Sequence, residues 1–145
     1  MTALPTHPVP ATAEARPATS SKSIVTGWIL SGLAIAFLTM DVVGKLLMVP
    51  QVIEGTADLG YPASAILPIG IVGAVCLIAY AIPRTAPLGA ILWTGYFGGA
   101  IATHLRLGNP LLTHTLFPIY VAALIWGGLW LRDARVRALL RPQPH

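Results

Sequence analysis

Charged residues are scarce in this chain, and cysteine is nearly absent. Of 145 residues, 10% are Asp, Glu, Lys or Arg while 55% are hydrophobic, and the mean hydropathy is +0.74. So few polar side chains cannot coat a water-soluble globule of this size, which argues against a soluble domain. The single cysteine, Cys76, excludes an intrachain disulfide and a Cys-x-x-Cys redox pair. Set among apolar residues, it behaves as a small hydrophobe and not as a nucleophile. Metal-ligand spacing is missing too, because no carboxylate or thiol stands at ligand distance in sequence from His104 or His114. The Gly95-x-x-x-Gly99 pair follows no strand and opens no helix toward a phosphate, so it is no nucleotide fingerprint.

What the chain does have is long apolar runs. A helix rises about 1.5 Å per residue, so roughly 20 apolar residues cross a hydrocarbon layer of about 30 Å. Four stretches meet that length: about 24–49, Ala63–Ile82, about 86–105 and Leu111–Leu131. The last three contain no Asp, Glu, Lys or Arg, whereas a soluble helix needs a charged face repeating every 3.6 residues. Pro50, Gly60-Tyr61-Pro62, Pro83-Arg84-Thr85-Ala86-Pro87 and Gly108-Asn109-Pro110 punctuate the runs where each helix must stop. The second and third connectors are short, so the helices they join are antiparallel neighbours. The expected fold is an all-α membrane protein, an antiparallel four-transmembrane-helix bundle.

The basic residues set its orientation, since cytoplasmic flanks retain Lys and Arg. Arg16, Lys22, Arg84, Arg132, Arg135, Arg137 and Arg141 fall on one side, leaving Lys45 and Arg106 on the other. Both termini are therefore expected in the cytoplasm. The net charge of +4 then reports topology, and basic residues scattered along membrane edges do not make a nucleic-acid surface. Residues 1–23, rich in Pro, Ala, Thr and Ser, are expected to be a disordered tail without a secretory signal, ahead of a transmembrane domain over 24–137 and a C-terminal tail over 138–145. Trp28, Trp126 and Trp130 fit an interfacial aromatic belt. Pro68 and Pro118 are expected to kink their helices.

The polar groups that lipid makes costly gather on the other side. Asp41 and Lys45, four apart on the first helix, share a face within ion-pairing reach. With that helix centred near Ala36, Asp41 lies on the order of 7 Å beyond the midplane, where a charge needs a partner inside the protein. The pair is either a neutralised structural couple, with Lys45 reaching the interface, or a substrate- or proton-binding site. The third helix ends on the same side with His104 and Arg106, and Glu54 and Asp58 stand in the intervening loop, able to fold over them. Residues two apart on a helix differ by about 200°, so only one of His104 and Arg106 faces the interior. Gly95, Gly99, Ala102 or Thr103, and Arg106 mark a narrow stripe, expected to be a packing seam, and Trp93, Phe97, Ala100 and His104 form a different, bulkier one.

The chain resembles the DoxX-like membrane proteins. The likeness rests on Gly44-Lys45, on Leu59-Gly60-Tyr61-Pro62, and above all on the block from Ile82-Pro83-Arg84-Thr85-Ala86-Pro87 through Gly95-Tyr96-Phe97-Gly98-Gly99 to His104-Leu105-Arg106. It covers about residues 24–137. The resemblance implies a four-helix fold in a cell membrane, of the bacterial cytoplasmic type, and a loose link to quinone-coupled oxidation and oxidative-stress complexes. That oxidoreductase link belongs to subunits working with partner proteins, and this chain has no haem, flavin or dithiol motif of its own. Lys45, His104 and Arg106 match polar places that recur in the family. No self-contained catalytic constellation can be assembled from the residues available. Two function classes follow. One is an accessory subunit that binds a quinone, a lipid or a membrane redox partner. The other is a small proton-coupled transporter, working as a homo-oligomer, with Asp41 as its only carrier group.

Overall fold

The computed structural model describes residues 21–139. Most of the two expected tails, 1–20 and 140–145, lies outside the described residues. The inner end of each is helical: residues 21–23 open the first helix and 138–139 close the last.

Among the described residues the chain is helical, with no strand. Helix α1 spans Ser21–Leu46 and α2 spans Pro50–Asp58. A 3-10 turn, Ala63–Ala65, leads into α3, Ile66–Ala81, and α4 spans Ala86–Arg106. A π-type turn, Leu111–Thr115, precedes α5, Phe117–Arg132, and α6 spans Ala134–Leu139. Prolines stand in the opening turn of α2, α4 and α5, where the first N–H groups have no partner in any helix. Pro68 and Pro118 accordingly do not kink a helix interior: they sit in the first turns of α3 and α5. The break in the fourth run lies instead at the π-type turn, where Leu116 N–H reaches back to Leu111 O (2.8 Å).

The same cap closes α2 and α4. Gly60 and Gly108 take φ of +78° and +65°, a left-handed conformation that costs glycine little. The following residues bond back across the turn, Tyr61 N–H to Thr56 O (3.2 Å) and Asn109 N–H to His104 O (3.1 Å). Both helices thus deliver a polar side chain, Tyr61 and Asn109, immediately past a fixed stop.

Three helical segments are long and apolar enough to cross a membrane: Ser21–Leu46, Ala63–Ala81 and Leu111–Arg132. Helix α4 matches them in length with 21 residues but falls short in apolarity, diluted by its glycines, Thr94, Tyr96, Thr103 and His104. Large side chains stand bare on the outside, among them Met40 at 68% exposure, Ile78 at 60% and Ile91 at 59%. Such surfaces on helices long enough to cross a bilayer suit hydrocarbon as their solvent.

Helix α1 packs on α5 and α3, and α4 packs on α3 and α5. The contacts rest on small residues. A Cβ at Gly27 would lie 2.8 Å from Gly128 O and from the Arg132 nitrogen, and one at Gly128 would lie 2.8 Å from Ser31 N, so α1 and α5 touch backbone to backbone. Gly70 and Gly73 of α3 instead make room for side chains of α1, an added carbon lying 2.9 Å from Lys45 Cβ and 3.1 Å from Val42 Cγ2, whereas Gly89 brings α4 against the backbone of α3, where an added carbon would collide with Tyr80 N and Cα. The expected seam at Gly95 and Gly99 is not one: a Cβ at either glycine meets nothing within 4 Å. The bulkier stripe of α4 turns inward instead, with Trp93 fully buried and stacked on Phe97 at 5.2 Å. Tyr80, also fully buried, holds its hydroxyl 3.0 Å from both Ser31 Oγ and Ile125 O, tying α3 to α1 and α5.

The end of α5 is locked by α6. Val136 is buried, and Arg135 donates to both carboxylate oxygens of Asp133 (3.1 and 2.7 Å) and to Pro83 O (2.7 Å). Those side-chain hydrogen bonds hold the Asp133 carboxyl below its ordinary range, against a smaller upward push from burial.

Candidate functional site

Helices α1 and α4 end, and α3 and α5 begin, around one cavity of about 520 Å³. Most of its wall is apolar, supplied by residues such as Phe37, Leu38, Ile69, Phe97 and Val121. The polar lining comes from Asp41 and Lys45 of α1, Thr56 of α2, Tyr61 past the α2 cap, and Tyr96, Thr103 and His104 of α4.

The sequence candidates divide clearly. Asp41 and Lys45 line the cavity as a direct ion pair, Lys45 Nζ to Asp41 Oδ1. Lys45 turns its ammonium onto Asp41. Its side chain is 16% exposed, less than the 34% of Asp41, because the chain folds back toward its partner and Gly70 of α3 packs against its Cβ. His104 also lines the cavity, and Arg106, on another side of α4, does not. Arg106 instead donates to Leu59 O (3.1 Å), pinning the turn after α2 to the end of α4. Glu54 and Asp58 belong to helix α2 and not to an irregular loop, and both are exposed and outside the lining. Helix α2 does lie over the cavity mouth, but its contributions there are Thr56 and, beyond it, Leu59 and Tyr61.

Hydrogen-bond direction gives the cavity its chemical character. Asn109 Nδ2 lies 2.8 Å from His104 Nδ1; an amide nitrogen only donates, so the neutral imidazole carries its proton on Nε2. Thr103 gives its one hydrogen to Gly99 O (2.9 Å), so the 2.9 Å contact with Tyr61 is donated by the tyrosine hydroxyl. Lys45 keeps two N–H groups beyond its ion pair. The Tyr96 hydroxyl has no partner among the described residues. The free groups of the lining are therefore mainly donors, suited to a carbonyl or anionic oxygen.

A second ring sits behind His104. His114, in the π-type turn, meets it edge to face at 5.9 Å and accepts or gives a 2.8 Å contact with Thr113 Oγ1 through Nδ1. Buried Thr115 donates to Asn109 O (3.3 Å), so the connector between α4 and α5 fixes the asparagine that orients His104. Among the described residues no group of three or more His, Cys, Asp or Glu side chains could hold a metal ion.

Sequence reasoning passed over Thr56, Tyr61, Tyr96, Thr103 and Asn109. All are neutral, so none raises the cost alarm that charge raises in lipid. The signal for Tyr61 and Asn109 was their place directly after the cap glycines.

The DoxX-like family profile matches residues 29–128, more than half of the chain and a span that includes every residue lining the cavity. No curated protein and no solved structure gives a match. With the family pattern running unbroken from α1 into α5, over helices whose bare apolar surfaces require lipid, the chain belongs to the DoxX-like family and is a membrane protein.

Proposed function

We propose that the protein is an accessory subunit of a membrane redox or stress-response system. It holds a quinone or a lipid by its oxygen-bearing head in the cavity between α1, α3, α4 and α5. In this reading α1, α3, α4 and α5 form an antiparallel four-helix bundle across a cell membrane, bacterial and cytoplasmic in type, with both termini on the cytoplasmic side. Helix α4 crosses despite its lower apolarity because Tyr96, Thr103 and His104 face the cavity and Thr94 is bonded to Ala90 O and Trp126.

The observation that carries the proposal is the pairing of a mainly apolar cavity of about 520 Å³, within the usual range for small-molecule sites, with a cluster of hydrogen-bond donors. An amphiphile fits both parts: its oxygen accepts from Lys45, Tyr96 or His104 while its tail follows Phe37, Phe97 and Val121. The ion pair already occupies Asp41, which favours binding over a carrier role for that carboxylate.

The test is mass spectrometry of the protein extracted with its native lipid. A retained quinone or lipid is expected, reduced in Lys45→Ala and His104→Ala. If both variants retain the same molecule at the wild-type level, the cavity is not its site.

A further inference from the structure

The opposite end, where α1 begins and α5 finishes, holds a cation with no direct ion pair among the described residues. The Arg132 guanidinium lies between two rings, its Cζ 4.2 Å from the Trp28 ring centroid and 5.5 Å from that of Tyr80. Its Nε and Nη2 are buried and have no hydrogen-bond acceptor among the described residues. The neighbouring arginines are engaged: Arg135 takes Asp133 and Pro83 O, and Arg137 donates to Trp130 O (2.7 Å) and Leu131 O (2.9 Å). Among the described residues Arg132 forms no direct ion pair; the Asp133 carboxylate beside it, bonded to Arg135, attracts it only through space.

A guanidinium cannot shed its charge, so it needs compensation where it stands. Stacking on aromatic faces offsets part of the cost of removing it from water. The rest calls for an anion, and Arg132 as a whole is only partly buried, so its guanidinium is approachable from outside. Lys22 and Arg84 are exposed at the same end and add to the positive field. Next to the guanidinium, Trp28 is half exposed, and Val25, Ile29 and Leu33 continue the same face of α1 as bare apolar surface. A charged acceptor at the interface followed by hydrocarbon is the shape of a phospholipid.

We propose that Arg132, on its Trp28 platform, binds the phosphate of an anionic phospholipid whose acyl chains run along the Val25–Ile29–Leu33 face of α1. The site is separate from the cavity and does not depend on what the cavity holds. It also gives the basic cluster at this end a specific member: Arg132 binds lipid, while Arg135 and Arg137 fasten the protein to itself.

Native mass spectrometry of the full chain in detergent, titrated with phosphatidylglycerol or phosphatidylcholine, tests it. Phosphatidylglycerol is expected to bind about tenfold or more tightly than phosphatidylcholine. Arg132→Gln is expected to abolish that preference and Arg132→Lys to keep part of it, since lysine retains the charge but not the planar stack. Arg84→Gln, equal in charge lost, is expected to leave it unchanged. Should Arg132→Gln fail to fold, Trp28→Leu removes the platform with the arginine in place, and an undiminished preference there overturns the proposal. It is also overturned if Arg84→Gln and Arg132→Gln lose the preference equally, which marks diffuse attraction, or if both lipids bind alike. Displacement by millimolar inorganic phosphate identifies a free ion as the ligand and overturns the lipid assignment.

Discussion

Gly89 and Gly95 lie six residues apart on α4 and look alike in the sequence, but the packing gives them opposite roles. An alanine Cβ at position 89 falls 2.7 Å from the Ala79 carbonyl carbon and nearer still to Tyr80 N and Cα. Comfortable carbon contacts lie at about 3.5–4.0 Å, so α3 and α4 must part by roughly 1 Å. The obstacle is backbone, which cannot swing aside as a side chain can. Overpacking of this kind costs about 1–3 kcal/mol. Displacing α3 also pulls the Tyr80 hydroxyl from Ser31 and Ile125, for about 1 kcal/mol more. Gly89→Ala is therefore expected to destabilise by about 2–4 kcal/mol, lowering Tm by on the order of 10 °C. At Gly95 an added Cβ meets nothing, and alanine is the better helix former, so Gly95→Ala is expected to be neutral or stabilising by up to about 1 kcal/mol. Thermal unfolding of both variants in one detergent, followed by far-ultraviolet circular dichroism, separates them. If Gly95→Ala costs as much as Gly89→Ala, the seam runs along the Gly95–Gly99 stripe and the helix rotation described above is wrong.

Lys45→Ala leaves Asp41 in the cavity wall without its partner and is expected to destabilise by about 1–3 kcal/mol, the pair being only partly buried. The double change Asp41→Asn with Lys45→Gln should cost less than the single one in the same unfolding assay, because no lone charge remains. Tyr61→Phe deletes the bond to Thr103 and should cost about 1 kcal/mol and speed proteolysis at α2, with the rest of the chain equally resistant; unchanged cleavage would show that this bond does not hold α2 down. Asp133 ionises more readily folded than unfolded, so its contribution is complete above the ordinary aspartate value of about 3.9 and is lost as pH falls through its own lower value. Protection of the α6 amides against hydrogen exchange, corrected for the intrinsic pH dependence of exchange, should therefore fall on acidification below the ordinary aspartate range, and Asp133→Asn should show the low protection at neutral pH as well. Proton flux in liposomes should be no greater for wild type than for Asp41→Asn; a flux that this substitution abolishes would establish the transporter reading in place of the binding one.

Local chemistry made a good part of the candidate site legible. Asp41 and Lys45 could be paired from spacing alone, since both ride one rigid helix whose pitch is known in advance. The helical geometry likewise required His104 and Arg106 to separate, although not which of them would face inward. Glu54 and Asp58 looked like part of the cluster because charge is conspicuous, and they stand outside it because α2 is a helix that turns Thr56, not its carboxylates, to the cavity. The hydroxyls of Tyr61, Tyr96 and Thr103 were hidden for the opposite reason, being polar enough to bind yet neutral enough to pass unnoticed.

By itself the sequence determined the solvent, the helical content and the places where the chain turns. Each of these follows from composition over a short window and from the conformational limits of Gly and Pro. Only the tertiary structure decided which glycines meet another backbone, which face of α4 lines the cavity, and that the buried Nε and Nη2 of Arg132, unlike the guanidinium groups of Arg135 and Arg137, have no acceptor among the described residues. Those facts depend on the rotation of each helix about its own axis. A helix apolar all round carries no polar face to report that rotation, so it is set by neighbours that touch it from elsewhere in the chain.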